Sequence, residues 1–146
     1  MAVETACHSL ARFYIQDVIG QRNLNLLDEI CLPDIVFCTM TFVGQGITAL
    51  QHAIKDELTA FPDLTVTLNY LLGDSTRAIA RATLRGTFLR PFGKQRPTQR
   101  RMVLTTFFNF NVWKDHIADI HVLYDRRTLY EQLGIEMPRV QVWLGR

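Results

Sequence analysis

The sequence predicts an α+β fold: a cone-shaped α+β barrel in which N-terminal helices pack on a strongly curved antiparallel sheet and enclose a pocket. Three observations carry this. Up to residue 61 most apolar residues recur at three- and four-residue steps, the period of a helix face. Beyond Asp63 the pattern breaks into four runs rich in β-branched and aromatic residues. The links between those runs are too short for helical crossovers, so consecutive strands must be antiparallel. Where helices and curved sheet part, such a fold leaves an apolar cavity suited to small molecules.

The first helix is expected over 4–19, where Cys7, Leu10, Ala11, Tyr14, Ile15, Val18 and Ile19 share one face. Asn25 can cap a short second helix over 26–31, after which Pro33 and Asp34 turn the chain into a strand over 35–42. Gly44 and Gly46 end that strand. A helix over 48–61 places Ile47, Leu50, Ala53, Ile54, Leu58 and Phe61 on one stripe, and Pro62-Asp63 closes it. Strands follow at 64–72, 78–89, 102–113 and 117–124, then a helix over 126–133 with Gly134 as its C-terminal cap.

With 146 residues the chain reads as one domain, 1–146, in which 135–146 forms a C-terminal extension. A hydrophobic fraction of 48% suffices for a packed core, and a net charge of +2 is too small to gather nucleic acid or an anionic membrane surface. The uncharged window 35–54 is long enough to span a bilayer, but Thr39, Thr41, Gln45, Thr48, Gln51 and His52 and two glycines interrupt it. The first residues, with Glu4, His8 and Arg12, do not form a signal peptide, so a cytoplasmic location is expected. Cys7, Cys31 and Cys38 lack zinc-ligand spacing and read as small buried apolar groups. His8, His52 and His116 have no partners at metal-ligand spacing, and no metal is expected. Phosphate-loop, dinucleotide and Gly-x-Ser-x-Gly signatures are missing, which removes the commonest kinase, dehydrogenase and hydrolase readings.

Four segments in order resemble the SnoaL-like polyketide cyclases of the nuclear transport factor 2-like superfamily: Phe61-Pro62-Asp63-Leu64, Gly86-Thr87-Phe88, Gly93-Lys94, and the terminal series Asp125, Leu129, Gln132, Leu133, Gly134. The resemblance implies an α+β barrel, a homodimer, a deep pocket and no cofactor. It further implies ring closure by intramolecular aldol chemistry, or isomerisation of another natural product, with one aspartate as acid and base. That aspartate falls on Asp125. The position four before it, often Trp in the family, is His121 here.

Asp125 and His121 lie on one face of the last strand, about 13 Å apart, and are the expected catalytic pair. If that face lines the cavity, desolvation raises the Asp125 pKa toward neutrality. A competing reading makes Asp125 the N-cap of the final helix, which lowers it. Asn109 and Asn111 interrupt an apolar strand and could offer amides to a carbonyl or enolate oxygen. Arg81 and Thr41 complete the expected substrate contacts, although Arg81, like Arg85, also suits an outer surface. Arg90, Lys94, Arg96, Arg100 and Arg101 form a basic loop without acids, read as a solvated hairpin or a mouth for an anionic or carrier-linked substrate. Val140, Val142, Trp143 and Leu144 suggest a tail that covers the cavity or a dimer interface. The expected activity is a cofactor-independent cyclase or isomerase acting on a polyketide-like or terpenoid small molecule. The alternatives are a cyclisation driven by shape alone and a non-catalytic binding or dimerisation module.

Overall fold

The computed structural model describes residues 5–136. Thr5 caps the first helix, α1 (Ala6–Arg12), in a reciprocal box: its hydroxyl accepts from the His8 backbone N–H, and His8 Nδ1 accepts from the Thr5 N–H. The helix continues as a wider π-helical segment, Phe13–Gly20, which buries Tyr14, Ile15 and Val18. A single 3-10 turn (Leu24–Leu26) and α2 (Leu27–Ile30) follow. The second helix therefore starts without the Asn25 cap expected from sequence, and Cys31 already belongs to the next strand.

Six strands form one mixed sheet: β1 (Cys31–Cys38), β2 (Val43–Gln45), β3 (Thr65–Gly73), β4 (Arg77–Thr87), β5 (Arg101–Trp113) and β6 (His116–Tyr124), in the order β2-β1-β6-β5-β4-β3. The meander β3 to β6 is antiparallel, as the short links require. Two features differ from the sequence reading. First, β1 lies parallel to β6, which is possible because α3 and the whole meander intervene between them. Second, the sheet is curled without closing: β2 and β3 remain free edges. Register shifts at Leu68/Tyr70 in β3 and, between β5 and β6, where Asn111 pairs Asp119 but Val112 pairs Ile117, bend it.

Helix α3 (Ile47–Ala60) starts from Gly46 at φ 96°, a conformation that favours glycine. The inner face of β4 carries Ala78, Ala80 and Ala82, all buried, so α1 can lie close on the sheet. Helix α4 (Arg126–Leu133) ends at Gly134 in the left-handed conformation, matching the sequence reading. The Gln132 side chain donates to the Val103 carbonyl at 3.0 Å and accepts from the Val103 N–H at 2.9 Å. Pairing between β6 and β5 ends at Thr106, so this amide extends the ladder and clamps α4 to β5.

No helix of the described residues is long and apolar enough to cross a membrane. The tail segment with Trp143 lies outside the described residues.

Candidate active site

An apolar chamber opens between α3, the π-helical segment and the inner face of the curled sheet. Its inner part is a narrow cleft lined by Tyr14, Ile54, Glu57, Leu58, Phe61, Leu84, Met102 and Phe108, among others. A roomier outer part, continuous through Met40, Glu57, Phe61 and Met102 and partly open to solvent, reaches Phe88, Phe92, Leu129 and Tyr130. Phe42 and Phe92 meet at its mouth with ring centroids 6.3 Å apart.

Glu57 is the carboxylate on the inner wall. Helix periodicity puts it there: Leu50, Ala53, Ile54, Leu58 and Phe61 form the buried stripe of α3, and Glu57 falls on the edge of that stripe. The loop after β1 supplies its partners. Thr39 Oγ1 donates to Glu57 Oε1 at 2.9 Å, and Thr41 Oγ1 donates to the same oxygen at 2.7 Å. Thr39 in turn accepts from the Phe42 N–H at 3.2 Å, and the Tyr124 hydroxyl donates to the Met40 carbonyl, so the loop is held at both ends. Burial raises the Glu57 pKa above its ordinary value; the two threonine hydroxyls offset part of this by stabilising the anion.

Tyr14 also lines this wall, fully buried, with its ring edge-on to Phe110 at 5.4 Å and Phe108 at 6.2 Å. Burial, and secondarily the Glu57 charge, raise its pKa, so the phenol stays protonated. A carboxyl group biased toward holding a proton, inside a chamber walled by aromatic and aliphatic groups, can accept a proton from carbon and deliver it elsewhere.

The residues expected from sequence are placed mostly elsewhere. Asp125 is exposed, outside the chamber, and caps α4: its carboxylate accepts from the Thr128 N–H at 3.1 Å, and such bonding lowers its pKa. This corrects the expectation of a desolvated acid, because a capping carboxylate is stabilised as the anion. His121 is exposed too and borders an outer groove, opposite Asn109 on β5. Asn109, Asn111 and Arg81 lie on the outer face of the sheet, away from the buried row Met102, Leu104, Thr106, Phe108 and Phe110. There Asn111 bridges Arg77 Nε at 3.0 Å and Asp119 Oδ2 at 2.8 Å. Only Thr41 reaches the chamber, through Glu57. The basic loop is solvated: Arg90, Lys94, Arg96, Arg100 and Arg101 are all exposed.

The signal that could have found Glu57 is an acidic residue three after Ile54 and four before Phe61, within an otherwise apolar helical face.

Together these features define an apolar chamber in a curled α+β domain, with the Glu57 carboxylate on its wall. The chain belongs to the SnoaL-like polyketide cyclase family, whose sequence profile matches residues 8–133. Among curated proteins, none matches the sequence. Solved structures are similar in fold. A protein from Jannaschia sp. CCS1 superposes with a TM-score of 0.81 at 12% identity, covering 90% of this chain and 94% of that one. TsrD from Streptomyces laurentii gives 0.77 at 22% identity, with 88% and 95% covered. A SnoaL-like polyketide cyclase from Agrobacterium tumefaciens C58 gives 0.72 at 18% identity, with 90% and 100% covered.

Proposed function

We propose that this protein is a cyclase or isomerase that moves a proton α to a carbonyl of a polyketide-like or terpenoid intermediate, with Glu57 as the acid/base. Family membership supports the reaction class. The observation that carries the mechanism is the placement of Glu57 on the inner wall of an aromatic chamber, fixed by two hydroxyls on Oε1, with Oε2 free of hydrogen bonds among the described residues. In its charged form the carboxylate abstracts the proton; in its neutral form it returns one. The apolar wall folds the substrate into a reactive shape.

Proton abstraction can be followed without knowing the substrate. Fused-ring ketones such as 1-tetralone and 2-tetralone, incubated with the protein in D2O, exchange their α-hydrogens, and NMR reads the rate. Catalysed exchange that falls about 100-fold or more in Glu57→Gln supports the assignment. Equal exchange by wild type and variant rejects it.

We further propose a homodimer formed through the outer sheet face. Val36, Ile79, Val103, Phe107 and Leu123 stand exposed there on four adjacent strands, and Leu123 is 59% exposed. They are interleaved with Arg81, Asn109 and His121 on the same face, and exposed large apolar residues set among polar ones suit an association surface.

A further inference from the structure

Three polar side chains line the inner chamber: Tyr14, Thr39 and Glu57. Two of them are committed to each other, since the Thr39 hydroxyl donates to Glu57. Of the other hydroxyls nearby, Thr41 donates to Glu57 and Tyr124 donates to the Met40 carbonyl, while Thr106 Oγ1, buried on the inner face of β5 without a partner among the described residues, does not line the chamber. Tyr14 differs. It is 1% exposed, yet among the described residues its hydroxyl makes no hydrogen bond. Buried tyrosine hydroxyls usually find a partner, and leaving one unpaired is unfavourable. The ring is held by Phe108 and Phe110, so its position is set without help from the hydroxyl. The π-helical turn that carries it is a geometry common at functional positions.

We infer that the Tyr14 hydroxyl donates a hydrogen bond to the substrate oxygen that becomes negative when Glu57 takes a proton. This rests on the acid/base reading of Glu57. In the step, the Glu57 carboxylate removes the α-proton, the C–H pair forms the enolate C=C bond, and the carbonyl π pair moves onto oxygen. The Tyr14 O–H donates to that oxygen and keeps its own proton. Glu57, now a carboxylic acid, then returns its proton. The acceptor is another carbon in an isomerisation, or the alkoxide formed when the enolate carbon attacks a second carbonyl. A preorganised donor in a dry chamber stabilises such charge far better than water-exposed groups do.

Substituted 2-naphthols test this, because a bound naphtholate mimics the enolate and its absorption and fluorescence report ionisation. Glu57→Gln removes the competing charge and should hold the ionised naphthols. Adding Tyr14→Phe should weaken their binding roughly 10- to 100-fold, the range for a hydrogen bond to a charged acceptor. The melting temperature should stay level, since that hydroxyl has no protein partner to lose. Unchanged naphtholate affinity on adding Tyr14→Phe, with the fold intact, overturns the role of Tyr14 and leaves that of Glu57 standing. Failure of every naphthol to bind either wild type or Glu57→Gln overturns the chamber as a site for such oxygens, and both readings with it.

Discussion

Thr41 Oγ1 lies 2.7 Å from Glu57 Oε1, tying the loop after β1 to the last turn of α3 where the inner and outer parts of the chamber meet. The contact fixes a carboxyl group that its surroundings would otherwise prefer uncharged. Chemistry and stability therefore pull in opposite directions at this residue.

Glu57→Gln keeps an oxygen for both threonine hydroxyls and removes the buried charge. The Glu57 pKa is raised in the folded state, so the native protein binds the proton more tightly than the unfolded chain does. Its contribution is most favourable below the unfolded value, about 4.3, and falls as pH rises through the folded value. The variant should thus melt a few degrees above wild type at neutral pH, and the gap should widen from acid to neutral conditions while exchange activity is lost. Calorimetry across pH checks this; a variant that melts lower at pH 7 contradicts it.

Asp125 should prove structural. Asp125→Asn retains a side-chain oxygen for the Thr128 N–H and should melt like wild type, whereas Asp125→Ala should melt lower. Both should retain α-hydrogen exchange on the tetralones. A 100-fold loss of exchange in Asp125→Asn would return this residue to the chemistry.

The acid limb of stability should follow a different set of groups. Asp63 accepts from the Thr87 N–H and hydroxyl, both at 2.7 Å, and these bonds lower its pKa. Asp74 is lowered by the Thr76 and Arg77 N–H groups, and Asp125 by that of Thr128. For depressed carboxylates the stabilisation is complete above the unfolded value, about 3.9, and is lost as pH falls through the folded value. Melting temperature should drop steeply below about pH 4, and Asp63→Asn should flatten that drop. An unchanged acid limb in Asp63→Asn counts against the assignment.

Gln132→Ala removes both hydrogen bonds to the Val103 backbone, which should cost about 1–2 kcal/mol in denaturant unfolding. Gln132→Glu, which at neutral pH accepts from the Val103 N–H but cannot donate to its carbonyl, should fall between the two. Equal stability of all three proteins would show that packing by Leu129 and Leu133 suffices to hold α4.

Placing a charge on the outer sheet face should dissociate the proposed dimer. Phe107→Lys and Leu123→Lys sit on paired positions of β5 and β6, remote from the buried row. Light scattering should report a halved mass with α-hydrogen exchange measurable in the monomer. An unchanged mass in both variants would place the interface elsewhere.

Period and punctuation carried most of the fold. The shift from helical to alternating patterning at Asp63 located the meander within a residue or two, and Gly134 marked the end of α4. These features are local: a strand alternates and a helix needs its cap wherever they sit in space. The parallel pairing of β1 with β6 was not legible, because it joins segments some 80 residues apart and depends on how the curled sheet wraps. Nor did sequence reveal which side of the meander faces the helices. His121, Asn109, Asn111 and Arg81 share faces as their alternation requires, but the shared face is the outer one.

The chain alone thus determined the elements, their order and the family pattern at both ends of the meander, since each arises from neighbours along the backbone. Tertiary structure alone picked out the proposed acid. Glu57 looks in sequence like one polar residue of an amphipathic helix. Folding brings Thr39 and Thr41 onto its carboxyl group and closes an apolar wall around it, and only that assembled environment gives a carboxylate an altered proton affinity.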